Sequence, residues 1–256
     1  MANLPLSSLC RTVAPVLATL ALLAGPSAHA AAVSPGPGKI TGIWLLDQTV
    51  YDRQEVVKLP LTPAAEAAAS KIRDARENGG VVLSDNNKKC LPIGMPGMVT
   101  NEFAMEFLET PGKVTIISEN SPLSRSIFLN KSEHPKGLDP TWNGHSIGKW
   151  EGNTLVVKTV ALNDRISHFP FGFGGLKTTT TSITERYHLE DGGKTLVNDI
   201  TFEDPAILTK PWTTTYHYKR AEAGAELWEY VCEVDSSGWS ERFAGDPEFK
   251  KTSAPK

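Results

Sequence analysis

The stretch TTTSITERYHLEDGGKTLVNDITF, residues 179–202, reads as two strands around a tight turn. Ile, Thr, Tyr, Val and Phe recur along Thr179–Glu190 and Thr195–Phe202, a composition suited to a half-buried pleated surface. Between them Asp191-Gly-Gly-Lys194 offers glycines that accept the positive φ of a hairpin turn. The same grammar extends outward in both directions. Upstream, Ser146–Trp150 and Thr154–Val160 flank Glu151-Gly-Asn153, and Phe103–Glu109 and Val114–Glu119 flank Thr110-Pro-Gly-Lys113, with Ser124–Leu129 continuing the meander. Downstream, Trp212–Arg220 and Glu226–Val234 read as a further antiparallel pair. Strands joined by short links, with few helices, predict an all-β antiparallel meander closing into a barrel, with a two-sheet sandwich as the alternative.

Ahead of these strands, Ile40–Leu46 reads as a first strand and Leu61–Asn78 as one short N-terminal helix. Thr62 suits its N-cap, Pro63 its first position, and Gly79-Gly80 its end. The first thirty residues carry a different signal. Arg11 is the first charged side chain, Thr12–Leu23 is a short apolar run, and Ala28-His29-Ala30 places small residues where a signal peptidase reads them. The run is shorter than the ~20 residues a membrane-spanning helix needs. The expected organisation is therefore a cleaved signal peptide over 1–30, one barrel domain over 31–243 and a flexible polar tail over 244–256. The mature chain is expected in the periplasm or secreted medium.

Formal net charge is −3, and removing Arg11 makes it one unit more negative. That mild acidity gives no electrostatic reason to expect nucleic acid or anionic lipid as a partner. Cys90 and Cys232 are the cysteines left after cleavage, and an oxidising compartment predicts a disulfide between them. Neither has the neighbouring His or Cys-x-x-Cys partner that would make a reactive thiol.

Two longer segments, DPTWNGHSIGKWEGNTLVV (139–157) and KPWTTTYHYKR (210–220) followed by EYVCE, resemble a widespread group of exported bacterial proteins without a settled biochemical function. LPLTPAA and CLPIGMPGM extend the resemblance over most of the mature chain. Relatives commonly carry a Pro-His-Ser-Glu stretch before the Glu-Arg that matches Glu185-Arg186. Here the region reads HFPFGFGGLKTTTTSITER, so no role of that stretch carries over. Gly42-Ile43-Trp44 and Lys219-Arg220 also resemble lipocalin-like barrels, which implies a late basic residue packed over the early Trp at the barrel base.

His145, in the turn-rich Trp142-Asn143-Gly144-His145-Ser146, is the first candidate for chemistry, since an imidazole there can exchange protons near neutral pH. The competing reading is a histidine that anchors its loop. Asp164, Arg165 and His168 follow on the next long loop, where Asp164 could orient an imidazole and Arg165 hold an anionic group. Glu119 and Arg125 flank the Pro122 turn and read as an exposed ion pair, with Arg125 also counted among ligand-binding candidates. Trp142, Asn143, Phe169 and Phe171 complete that set, their aromatic faces suiting sugars and planar compounds. The stretch Phe169-Pro-Phe-Gly-Phe-Gly-Gly reads as a lid or a packed loop. Leu176-Lys177-Thr178 lacks the glycine a phosphate loop needs before its lysine. The histidines show no metal-ligand spacing, so no metal and no cofactor are expected. The leading function is a small-molecule-binding barrel for a carbohydrate or aromatic ligand. A cofactor-independent acid/base enzyme (lyase, isomerase or hydrolase) using His145 with Asp164 is the alternative, and an envelope protein acting through surface contacts the third.

Overall fold

The computed structural model describes residues 40–48, 59–77, 90–165 and 177–232. The signal region, His168, Phe169, Phe171 and the polar tail lie outside the described residues. Nine strands close into a barrel: β1 (Gly42–Leu46), β2 (Met105–Thr110), β3 (Lys113–Ser118), β4 (Arg125–Phe128), β5 (His145–Glu151), β6 (Thr154–Val160), β7 (Ser182–Glu190), β8 (Thr195–Glu203) and β9 (Trp212–Arg220). Each pairs with the next, and β9 returns to β1 with Trp44 opposite Arg220, which abolishes the free edges an open sheet would expose. The barrel, and not the sandwich, is the architecture.

Alternation sets which side chains fill the barrel. In β3 Val114, Ile116 and Ser118 are buried while their neighbours are half-buried, and β7 buries Ile183, Glu185 and Tyr187 in the same phase. Trp44, Phe107, Ile116, Ile127, Leu155, Val157, Tyr187 and Leu196 have no exposed surface, so the lumen is a packed core.

Two features depart from a simple meander. β4 and β5 pair in parallel, Ile127 opposite Ser146 and Phe128 opposite Ile147, because the long connection 129–144 carries the chain back to the end it left. Residues 226–232, read from sequence as a strand paired with β9, form no strand. Both edges of β9 are already occupied, by β8 and β1, so this segment has no ladder to join. It runs instead as a strap along the barrel mouth, ending in a disulfide between Cys90 and Cys232.

Between β1 and β2 the chain forms α1 (Pro63–Glu77) and a short α2 (Gly97–Thr100). Thr62 caps α1 by accepting the Ala65 N–H at 3.3 Å, and it tethers the helix start to the β8–β9 connection by donating to the Ala206 carbonyl at 3.1 Å. α2 and the residues before it fill the mouth: Met95, Met98 and Val99 are fully buried, and the Tyr218 hydroxyl donates to the Val99 carbonyl.

The opposite end has the closure that the lipocalin-like resemblance implied. The Arg220 guanidinium lies 4.1 Å over the Trp44 ring, while its Nε and Nη1 donate to the Gly193 and Thr41 carbonyls, each at 2.8 Å. The Trp44 indole N–H donates to the Ile40 carbonyl at 2.8 Å. Gly42 makes room for this arrangement, since at φ 127° an added Cβ would sit 2.8 Å from Arg220 Nη1. Lys219 points outward and pairs with Asp47 at 3.0 Å.

Candidate functional site

The Arg125 guanidinium lies inside the barrel, not on the surface beside Glu119. Position 125 shares its strand phase with Ile127, and that phase faces inward, so the cation must find its partners there. Nη1 donates to Glu185 Oε1 at 3.0 Å and Nη2 pairs with Glu185 Oε2, a bidentate ion pair with both residues at most 1% exposed. Nη2 also donates to Thr159 Oγ1 at 2.9 Å and Nε to Ser146 Oγ at 3.2 Å, while the two hydroxyls lie 2.8 Å apart. Tyr187 completes the cluster, donating to Glu185 Oε1 at 2.6 Å. Burial opposes the guanidinium charge, but Glu185 outweighs it and holds Arg125 above its ordinary range. Burial and the Glu185 charge together push Tyr187 far up, so it stays a phenol. Charges so neutralised and so deeply buried make an internal girder, with the guanidinium already committed to Glu185, Thr159 and Ser146. The corresponding signal in sequence is the charge in inward phase: Arg125 two residues from Ile127, and Glu185 between Ile183 and Tyr187.

Glu119, freed from the expected pairing, secures the mouth. Its Oε2 accepts the Ala104 N–H at 3.2 Å and its Oε1 the Trp228 N–H of the strap at 2.9 Å.

His145 opens β5 after Gly144, whose φ of 65° and tight approach to the Val160 carbonyl exclude a side chain. Its Nδ1 lies 2.9 Å from Nδ1 of His134 in the 129–144 connection, and its ring stacks on Phe128 with centroids 5.2 Å apart. One imidazole must therefore be neutral to accept from the other. Burial first, then the other's charge or nearby Lys131 and Lys158, lowers both below the ordinary histidine value. The partner of His145 is thus His134, a pairing that the 11-residue separation did not suggest.

Asp164 is exposed one turn beyond β6, and its charge acts on Lys177. Lys177 is buried at 8% exposure, its ammonium donating to the Asn163 carbonyl and, at 2.6 Å, to Asn163 Oδ1. Burial lowers its pKa to about 8, against the opposing pull of Asp164. Arg165 lies 5.7 Å from the Trp142 ring. Trp142 and Asn143 act on neighbouring backbone: the Trp142 carbonyl accepts Met95 N–H at 2.9 Å, and Asn143 Nδ2 donates to the Ser124 carbonyl at 3.2 Å.

A cleft of about 590 Å³ opens at the mouth. Leu91, Ile93, Phe103, Pro122, Tyr230, Val231 and the disulfide supply its apolar lining, and Asn101, Glu102, Asn120 and Ser121 its polar groups. Phe103 and Tyr230 pack as a tilted pair with centroids 5.1 Å apart. None of the residues singled out in sequence as ligand-binding lines this cleft, which forms where the strap crosses the mouth, while Phe169 and Phe171 lie outside the described residues. A second cleft of about 590 Å³ lies at the base beside Trp150, Leu189 and Arg220. Among the described residues no group of three or more His, Cys, Asp or Glu is arranged to hold a metal ion, and no helix is long and apolar enough to cross a membrane.

No protein-family model matches the sequence, and no curated protein does. Among solved structures the chain is similar to crystal structures of two mutants of the fluorescent protein UnaG. One is 13% identical with a TM-score of 0.33, covering 72% of this chain and 98% of that one. The other is 13% identical with a TM-score of 0.32, covering 72% and 97%.

Proposed function

We propose that this chain is an exported barrel protein that binds a small organic ligand, carbohydrate or aromatic, in the mouth cleft beside the Cys90–Cys232 disulfide. The observation that carries the reading is the cleft itself: a concavity of about 590 Å³ lined by Phe103, Tyr230 and aliphatic side chains with Asn120 among its polar groups, within the usual range of small-molecule sites. The lumen below is packed, so the ligand binds at the mouth and not inside the barrel. The base cleft is a weaker candidate, since Arg220 there already serves two carbonyls. Export, to the periplasm or the medium, rests on the N-terminal features and the resemblance to exported proteins, and a disulfide suits that compartment. The organisation that accompanies it is a signal peptide over 1–30, a single domain over 31–243 and a tail.

Hydrogen exchange with and without hits from a screen of neutral glycosides and lignin-like aromatics tests this reading. A true ligand slows exchange at 101–103, 119–122 and 229–232, and Phe103→Ala abolishes the effect. Protection confined to 142–165 would move the site to the Trp142 loop and overturn the reading. The acid/base alternative needs a carboxylate beside His145, and the residue facing it is His134.

A further inference from the structure

Resting on the reading of the mouth cleft as a ligand site, we infer that the cleft selects neutral hydroxylated rings, glycosides in particular, and discriminates against carboxylates. Three observations converge on this class.

The first is charge. The described residues that line the cleft include no Lys, Arg or His, and Glu102 is the carboxylate among them. Glu119, outside the lining, holds the strap by accepting the Trp228 N–H. Lys88 and Lys89, next to Cys90 in sequence, lie outside the described residues, and Arg125, three residues beyond Pro122, is consumed by Glu185 inside the barrel. An acidic ligand entering here meets the Glu102 charge and finds no counter-ion among the described lining residues. A unit charge within about 7 Å of Glu102, in water-like dielectric, is disfavoured about threefold.

The second is the placement of amides. Asn101 is committed to the fold, its Nδ2 donating to the Gly97 carbonyl at 2.6 Å and its Oδ1 accepting the Phe103 N–H at 2.9 Å. Asn120 differs. Its Oδ1 accepts from Ser118 Oγ at 3.1 Å and lies 3.5 Å from Asn101 Nδ2, while its own Nδ2 has no partner among the described residues. A neutral N–H donor at the rim of an acidic cleft matches a hydroxyl or ether oxygen, and Glu102 matches a hydroxyl proton.

The third is the wall. Tyr230 leans on Phe103 at a 60° interplanar angle and keeps 52% of its surface exposed, which leaves an aromatic face open to the C–H groups of a sugar ring. The segment carrying that face is almost wholly exposed and is tied down by the Trp228 N–H bond to Glu119, the Phe103 contact and the disulfide. The ring-binding wall therefore depends on the oxidised Cys90–Cys232 link.

The test uses the oxidised full chain and a matched pair of probes, phenyl β-glucoside and phenyl β-glucuronide, which differ by a carboxylate. Saturation-transfer NMR at low salt should give binding of the glucoside, lost in Tyr230→Ala. The glucuronide should bind about threefold more weakly or worse, and Glu102→Gln should narrow that gap. Equal or tighter binding of the glucuronide overturns the inference while leaving the cleft as a ligand site. Uptake of neutral Nile red, lost in Tyr230→Ala, without binding of either glycoside overturns the sugar class alone. Absence of all three at the cleft brings down the proposed function with it.

Discussion

Replacing Arg125 by Met should be among the most damaging single changes available in this barrel. The substitution keeps an unbranched side chain of similar reach in the inward phase of β4. It leaves the Glu185 carboxylate, with no exposed surface, facing Tyr187 without its counter-ion, and strips the Ser146 and Thr159 hydroxyls of their donor. Breaking a buried pair by removing one partner costs about 3–5 kcal/mol, because the remaining charge is stranded in a low-dielectric interior. For a domain of this size about 2–4 °C of melting temperature follows each kcal/mol, so a fall of roughly 6–20 °C is expected. Removing the second charge as well, in Arg125→Met with Glu185→Leu, should recover much of the loss. A buried pair often contributes little beyond an apolar replacement of similar volume. Urea unfolding of the four proteins of the cycle, followed by tryptophan fluorescence, gives the coupling directly. A loss below about 1 kcal/mol in Arg125→Met, or a double variant as unstable as the sum of the singles, would refute the girder argument.

The disulfide should be fully formed in protein recovered from an oxidising compartment, and reduction should destabilise the fold by up to ~5 kcal/mol, given the 142-residue separation of the cysteines. Intact mass after alkylation checks the first part, where two alkylated thiols in unreduced protein would contradict the structure. The His134–His145 pair predicts acid sensitivity. Both folded pKa values lie below the ordinary 6.5, so the unfolded chain takes up more protons below that point. Stability is complete above about pH 6.5 and is lost as pH falls through the lowered folded values. Among the described groups, Lys131 and Lys158 face the pair and add to the repulsion. His145→Gln should flatten this dependence, and unaltered urea midpoints between pH 7 and 5 in the parent would contradict it. Arg220→Ala should cost about 2–4 kcal/mol by removing two charged hydrogen bonds and the stack over Trp44, and Arg220→Lys should restore less than half of it. A thermal melt of Arg220→Lys indistinguishable from the parent would show that the fork geometry is irrelevant.

Much of the fold was legible in sequence because it is local. Runs of Val, Ile, Thr, Tyr and Phe between Gly-containing turns placed the barrel strands to within a few positions, and Thr62-Pro63 placed the helix start, all properties of adjacent residues. The Cys90–Cys232 link followed from the pair of cysteines left in the mature chain, and Arg220 over Trp44 from the motifs that resemble lipocalin-like barrels. What stayed hidden depends on partners far apart in the chain. Glu226–Val234 has a strand-like composition, yet whether a strand forms is decided by whether an edge is free, and barrel closure through β1 and β9 left none. Arg125 has ordinary surface chemistry, and its inward phase becomes interpretable only when Glu185, 60 residues away, is seen to meet it. The mouth cleft likewise draws on segments around residues 91, 102, 120 and 230, which come together through a strap pinned by one covalent bond. The sequence alone determined the nine barrel strands, their turns and the covalent link. The pairing of buried charges and the location of the mouth cleft were decided in the tertiary structure, because desolvation penalties and concave surfaces arise only once distant segments share one interior and one rim.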